Sequence, residues 1–114
     1  MLRRRRFFTL AALIVSAYSL PLLAETSSLM CQGEALKDAR SLLGFYNNND
    51  PRVAIENKVT PLSVLTNPAN TTQHFDVLEV WGFVYKGKYR MRLIYSPQVH
   101  CLRMGEEILE YASL

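Results

Sequence analysis

The clearest pattern in the chain is an alternation of apolar and polar residues between Phe75 and Tyr95. β-Branched and aromatic residues dominate this stretch, and Lys86-Gly87-Lys88 interrupts it with residue types that are typical of a turn. The pattern predicts two antiparallel strands joined by a two-residue turn, at Lys86-Gly87 or at Gly87-Lys88. Both turns keep the same residues on the same face, because the two pairings differ by two positions.

The two faces of this predicted hairpin differ in chemistry. One face is almost wholly apolar and is expected to form the core; it carries Leu78, Val80, Gly82, Val84, Tyr89, Met91, Leu93 and Tyr95. The other face combines rings with cations and is expected to face solvent; it carries Glu79, Trp81, Phe83, Tyr85, Lys88, Arg90, Arg92 and Ile94. With the turn at Lys86-Gly87, the predicted cross-strand pairs are Trp81 with Arg92, Phe83 with Arg90, and Tyr85 with Lys88.

Two further segments have apolar residues at helical spacing. From Gln32 to Tyr46 they recur every three or four positions, which predicts a helix that ends before Pro51. The stretch from His100 to Tyr111 is interpreted as a closing helix with one apolar stripe. The residues of that stripe are Leu102, Ile108, Leu109 and Ala112.

The segment from Arg52 to Leu65 is interpreted as one edge strand or two short strands, because Pro61 has no N–H to donate to a sheet ladder. The order of elements predicts an α+β fold. It consists of an N-terminal helix, an antiparallel sheet of about three strands with a Lys86-Gly87-Lys88 hairpin, and a C-terminal helix. Both helices are expected on one face of the sheet.

The N-terminus predicts a cleavable export signal over residues 1–24. A basic block, Arg3 to Arg6, precedes the apolar stretch Phe7 to Leu20, and the small residue Ala24 ends the segment. The apolar stretch is short for a bilayer span, which needs about 20 residues. We therefore expect no stable membrane insertion after cleavage and a single small domain over residues 25–114. The alternative is an uncleaved membrane anchor.

Removing the signal changes the charge of the protein. The chain has 13 basic and 10 acidic residues, and four of the arginines lie in the signal. The remaining 9 basic and 10 acidic residues give a net charge of −1. The basic character of the whole chain is therefore a targeting property, and nucleic acid is not an expected partner.

The two cysteines of the domain, Cys31 and Cys101, predict a single disulfide. Small exported domains often add such a bond to a limited core. The rival interpretation is a zinc site formed with His74 and His100, but adjacent His100 and Cys101 are poorly spaced for tetrahedral ligation. We expect no metal and no cofactor, and a periplasmic or secreted location.

Catalytic interpretations find little support in the sequence. His74 and Asp76 have the spacing to orient an imidazole, but no motif marks Ser63 or Ser96 as a nucleophile. The acidic residues near the C-terminus are expected to face solvent. We therefore expect a protein that is not an enzyme.

The most informative feature is the ring and cation face. We expect it to dock a protein partner or an anionic envelope glycan, with an inhibitor or immunity protein as the first version to test. The candidate binding residues are Trp81, Phe83, Tyr85, Lys88, Arg90 and Arg92. The alternative function is a structural subunit of an envelope or secretion assembly. Two plainer interpretations stay open: the pairs only stabilise the sheet, or the Arg52–Leu65 segment covers Trp81 and Phe83.

Overall fold

A computed structural model describes residues 25–111, and within that range the chain forms one helix and six strands. The predicted signal, residues 1–24, and residues 112–114 lie outside the described part. The elements are helix α1 (Gln32–Tyr46) and strands β1 (Val53–Ile55), β2 (Thr60–Pro61), β3 (Leu65–Asn67), β4 (Asn70–Val84), β5 (Gly87–Ser96) and β6 (Leu102–Tyr111). The N-terminal helix has the predicted bounds.

All six strands belong to one antiparallel sheet organised around the long strand β4. Strands β1, β2 and β3 pair one after another along one edge of β4. Strand β5 pairs with the other edge of β4, and β6 pairs with β5. The sheet is therefore four strands wide, and α1 packs across one of its faces against β1, β4 and β5.

The predicted C-terminal helix is wrong, because this segment is the edge strand β6. It pairs with β5 from Ser96↔Leu102 to Lys88↔Tyr111. Leucine, methionine and glutamate favour a helix locally, but strand pairing with β5 overrides that weak preference. An edge strand also needs few apolar residues, and Ile108 is the β6 side chain that packs against the core.

The predicted sheet of about three strands, with two helices on one face, is also wrong. The stretch from Arg52 to Leu65 contains two short strands, β1 and β2, and β3 begins at Leu65. Pro61 lies in β2, opposite Leu78, at the sheet edge where its missing donor is tolerated. Regular strand pairing with β4 is interrupted over residues 56–59 and 62–64, so three short strands line β4 instead of one long one.

The β4–β5 turn lies one residue before the earlier of the two predicted positions, Lys86-Gly87. Val84 pairs with Gly87, so Tyr85 and Lys86 form the turn, and Tyr85 takes the positive φ of 56°. Gly87 begins β5; a Cβ there would lie 3.0 Å from the Tyr89 ring. The pairing differs by two positions from the expected one, so Trp81 lies opposite Arg90 instead of Arg92.

A shift of two positions preserves the faces, and the predicted core is confirmed. The side chains that α1 covers are almost completely buried; in the sheet they are Leu78, Val80, Val84, Tyr89, Met91, Leu93 and Tyr95. The helix contributes Ala35, Ala39 and Leu43 to the same cluster. We call this the inner face.

The helix approaches the sheet most closely at Gly82. A Cβ at Gly82 would lie 2.6 Å from Leu43 Cδ2 and 3.0 Å from Met91 Cε. Leu43 and Met91 are both fully buried, so neither can move into open space. The position therefore requires glycine for close packing.

We expect Gly82→Ala to lower the free energy of unfolding by about 1–2 kcal/mol, because the added methyl group overpacks the core. Urea denaturation measures the change. Gly33→Ala is the matched control, because nothing lies within 4 Å of its Cβ position. Alanine favours a helix, so that variant should be neutral or more stable by up to about 1 kcal/mol. Equal effects of the two variants would contradict the close approach at Gly82.

The predicted disulfide between Cys31 and Cys101 is present. Cys31 immediately precedes α1 and Cys101 immediately precedes β6, so the bond ties the start of the helix to the start of an edge strand. It joins a helix to a strand instead of the two predicted helices. Since the two sulfurs bind each other, neither is available to the alternative zinc site.

Within residues 25–111, no helix has the length and apolar character that a bilayer span requires. The one helix of this region has 15 residues and carries four charged side chains, those of Glu34, Lys37, Asp38 and Arg40.

Candidate partner-binding surface

The face of the sheet opposite α1 carries most of the predicted binding residues. We call it the outer face and define it by Glu79, Trp81, Phe83, Lys88, Arg90, Arg92, Glu107, Leu109 and Tyr111. Five of the six predicted residues lie on it, and Tyr85 lies beside it in the turn. Strands β1 and β2 extend the sheet sideways and do not cover Trp81. Phe83 and Leu109 remain 37% and 46% exposed.

Two rings and two cations form a stack in the middle of the outer face. The ring centroids of Trp81 and Tyr111 are 5.5 Å apart. Lys88 Nζ lies 4.6 Å from the Trp81 ring, and the Arg90 guanidinium lies 5.8 Å from the Tyr111 ring. Each such contact contributes about 0.5–1 kcal/mol at an exposed site and restricts the side chains. The contacts of the stack therefore restrict the conformations of the Trp81 and Tyr111 side chains.

Tyr111 and Leu109 are part of the surface that sequence reasoning missed. Both were assigned to a C-terminal helix, whereas β6 brings them beside β5, opposite Lys88 and Arg90. No local signal marks them, because apolar and charged residues do not alternate with the period of a strand between Glu106 and Tyr111.

Glu79 neutralises part of the positive charge on this face. Its Oε2 lies 3.3 Å from Arg92 Nε and 3.9 Å from Arg90 Nε, and its side chain is 13% exposed. The outer face holds three cations and two carboxylates, those of Glu79 and Glu107. The surface is therefore close to neutral, which weakens the case for a strongly anionic ligand.

We expect Glu79→Gln to lower the free energy of unfolding by about 1 kcal/mol, because two guanidinium groups would lose their shared partner. Thermal unfolding followed by circular dichroism measures this. Glu107→Gln is the matched control. In the described part of the chain Glu107 lies opposite Arg92 without an ion pair within 4 Å. Its removal should change stability by no more than about 0.5 kcal/mol. A larger loss from the control would contradict the role given to Glu79.

The turn adds a third ring to one end of the surface. Arg52 lies 4.9 Å from the Tyr85 ring, and Lys86 lies 5.5 Å from it. Arg52 also forms an ion pair with Asp50, and its side-chain hydrogen bond lowers the pKa of the Asp50 carboxyl to about 2. Tyr85 is 69% exposed, and both cations lie near its ring at the edge of the outer face.

The other end of the same side of the sheet contains an apolar hollow of about 370 Å³. Leu62, Leu65, Val77 and Ile94 provide its apolar walls, and Arg92 and Glu107 lie at its border with the ring stack. Along the strands, the surface thus has three adjoining parts: the ring stack, a row of charged side chains, and the apolar hollow. Such a mixture of apolar area with satisfied charges is typical of protein interfaces.

Of the residues weighed for catalysis, Ser63 lines the hollow, and the pair His74 and Asp76 lies elsewhere. His74 and Asp76 are on β4, towards the end remote from the β4–β5 turn. His74 Nδ1 lies 3.0 Å from Thr66 Oγ1, and Asp76 Oδ1 accepts a hydrogen bond from the Ser28 N–H. Among residues 25–111, no group of three acidic, histidine or cysteine side chains has the geometry of a metal site.

Comparison of the chain with protein-family models, with curated proteins and with solved structures gives no match. The fold class is that of a small antiparallel sheet with one helix on its inner face.

Proposed function

We propose that this protein is an exported, non-enzymatic binding protein that docks a protein partner through its outer face. The observation that carries the proposal is the stack of Trp81 and Tyr111 with Lys88 and Arg90 on a sheet face where Phe83 and Leu109 are exposed among the described residues. Tryptophan, tyrosine and arginine are enriched at positions that dominate binding energies. An inhibitor or immunity protein is the first version to test.

Export is part of the proposal. The basic and apolar N-terminal segment has the form of a cleavable signal. The Cys31–Cys101 bond supports an oxidising compartment, because cytosolic thiols are usually kept reduced. These two features favour the periplasm or the extracellular space as the place where the partner is met.

Charge separates a protein partner from an anionic glycan. A glycan site built for carboxylates or sulfates needs uncompensated cations, whereas Arg90 and Arg92 share Glu79. The exposed apolar area of Phe83 and Leu109 and the adjoining hollow suit the side chains of a protein surface better. We therefore favour a protein.

The alternative function, a structural subunit, would use the outer edge of β6. This strand is ten residues long and pairs with β5 on one side only within the described region. It carries charged residues at Arg103, Glu106, Glu107 and Glu110. Charged side chains on an edge strand oppose pairing with another chain. A concentration-independent monomer in light scattering would count against self-assembly.

Affinity capture with a surface variant tests the proposal. The exported protein, tagged at its C-terminus, is compared with the triple variant Trp81→Ala, Lys88→Ala and Arg90→Ala. A matched triple variant on α1 is Phe45→Ala, Lys37→Ala and Arg40→Ala. It removes the same kinds of side chain from the opposite side of the molecule.

We expect a specific protein to be recovered by the native protein and by the α1 variant but not by the outer-face variant. Circular dichroism confirms that each variant is folded. Equal recovery by the two triple variants would remove the outer face as the binding surface. Recovery lost only in the α1 variant would move the site to the helix.

A further inference from the structure

Asp76 combines deep burial with an unsatisfied oxygen. The residue is 5% exposed, and its Oδ1 accepts the Ser28 N–H at 3.1 Å. Its Oδ2 is buried and has no hydrogen-bond partner among the residues that the structure describes. Buried carboxylate oxygens normally have donors, because leaving one unpaired is costly. Asp76 therefore has the capacity to accept a further hydrogen bond.

Asp76 also lines a pocket of about 350 Å³. The polar lining comes from Glu25, Thr26, Ser28, His74, Asp76 and Gln98, and the apolar lining comes from Met30, Val64 and Pro97. Two carboxylates are present, and neither lysine nor arginine lines the pocket. It lies near the end of β4 remote from Tyr85 and is separate from the outer face.

We propose that this pocket binds a cationic amine or guanidine group on an apolar stem. Such a group supplies several N–H donors and a positive charge, which match the free oxygen of Asp76 and the carboxylate of Glu25. The apolar walls suit the methylene groups of the stem. Asp76 Oδ2 is closed to solvent, so binding requires a side chain of the lining to move, and we assign this movement to Met30, which also lines the pocket and is 67% exposed.

The chain's own amino terminus does not fill this role. Cleavage after Ala24 would create an ammonium group at Glu25. The segment from Glu25 to Ser27 is extended, because the Val64 N–H donates to the Glu25 carbonyl and the Ser27 N–H donates to the Leu62 carbonyl. Three extended residues span about 10 Å, which keeps that ammonium away from the Asp76 carboxylate.

Titration followed by NMR tests the proposal on the exported protein. Butylammonium is the probe, and butan-1-ol is the neutral control of the same length. We expect saturable shifts of the Ser28 and Asp76 amide signals with butylammonium only. Asp76→Asn should weaken binding about tenfold, the equivalent of about 1.4 kcal/mol. Glu25→Gln, at an exposed position, should weaken binding without affecting the fold.

Two short peptides separate the sources of the cation. Gly-Lys-Gly is compared with Gly-norleucine-Gly, which has an uncharged side chain. Tighter binding of Gly-Lys-Gly than of butylammonium indicates a protein segment, and equal binding indicates that a free amine suffices; both results support the cationic site. Equal shifts with the neutral probes, no saturable shift, or unchanged binding in Glu25→Gln would overturn the proposal. None of these outcomes depends on the outer face.

Discussion

Replacing Cys31 and Cys101 together with serine is expected to lower the free energy of unfolding by about 4 kcal/mol. The bond closes a loop with a sequence separation of 70 residues, and opening it restores conformational entropy to the unfolded chain. The free energy of unfolding of native domains is about 5–15 kcal/mol in total, so the expected loss is a large part of it. Chemical denaturation of both proteins measures the difference.

The location of the bond explains why the effect should be large. Cys31 is almost completely buried at the start of α1, and Cys101 precedes β6, which has a sheet neighbour on one side only within the described region. Reduction of the native protein is the control and should reproduce most of the loss. A change below about 1 kcal/mol in both experiments would contradict a structural role for the bond.

Replacing Trp81 with alanine is expected to weaken partner binding at least about 30-fold. Central aromatic residues of an interface commonly contribute 2 kcal/mol or more, which corresponds to that factor. Trp81 contacts both Lys88 and Tyr111, so its removal also deprives these two side chains of a neighbour. Calorimetry or biolayer interferometry with the captured partner measures the change.

Phe45→Ala is the matched control for this substitution. Phe45 is 82% exposed on α1, on the other side of the molecule, and its removal deletes an aromatic ring that contributes nothing to the outer face. Binding should be unchanged within about twofold, or roughly 0.4 kcal/mol. A stronger effect from Phe45→Ala than from Trp81→Ala would assign the partner to the helix side.

The division of the hairpin into two faces could be predicted from the sequence because side chains alternate with a period of two. The residue types of Lys86-Gly87-Lys88 predict a turn that includes Gly87, whereas Tyr85 and Lys86 form the turn and Tyr85 takes the positive φ. The pairing moved by two positions, which leaves each face intact and changes only the partners. The assignment of side chains to the two faces was therefore correct, whereas the predicted cross-strand pairs were wrong.

The C-terminal strand could not be predicted from its local composition. Leu102 to Tyr111 contains good helix formers, and its single core contact is made by Ile108. What makes it a strand is the free edge of β5, a non-local feature that no window of sequence contains. The same cause hid Leu109 and Tyr111 from the candidate site.

The charge balance of the site was partly visible in the sequence. Glu79 was placed on the correct face, but its pairing with Arg92 depends on the register and emerged only with the turn at Tyr85-Lys86. A face without that ion pair would have more uncompensated positive charge. The choice between a glycan and a protein partner depends on this charge balance, and the sequence does not reveal the ion pairs.

Site-specific crosslinking in living cells tests the central claim most directly. A benzophenone amino acid is introduced at Phe83 or at Leu109 on the outer face, and at Lys37 on α1 as the control. We expect the two outer-face positions to give the same covalent adduct with one protein, and Trp81→Ala to abolish it, while Lys37 gives none. An adduct from Lys37 alone, or adducts that persist unchanged in Trp81→Ala, would contradict the outer face as the docking surface.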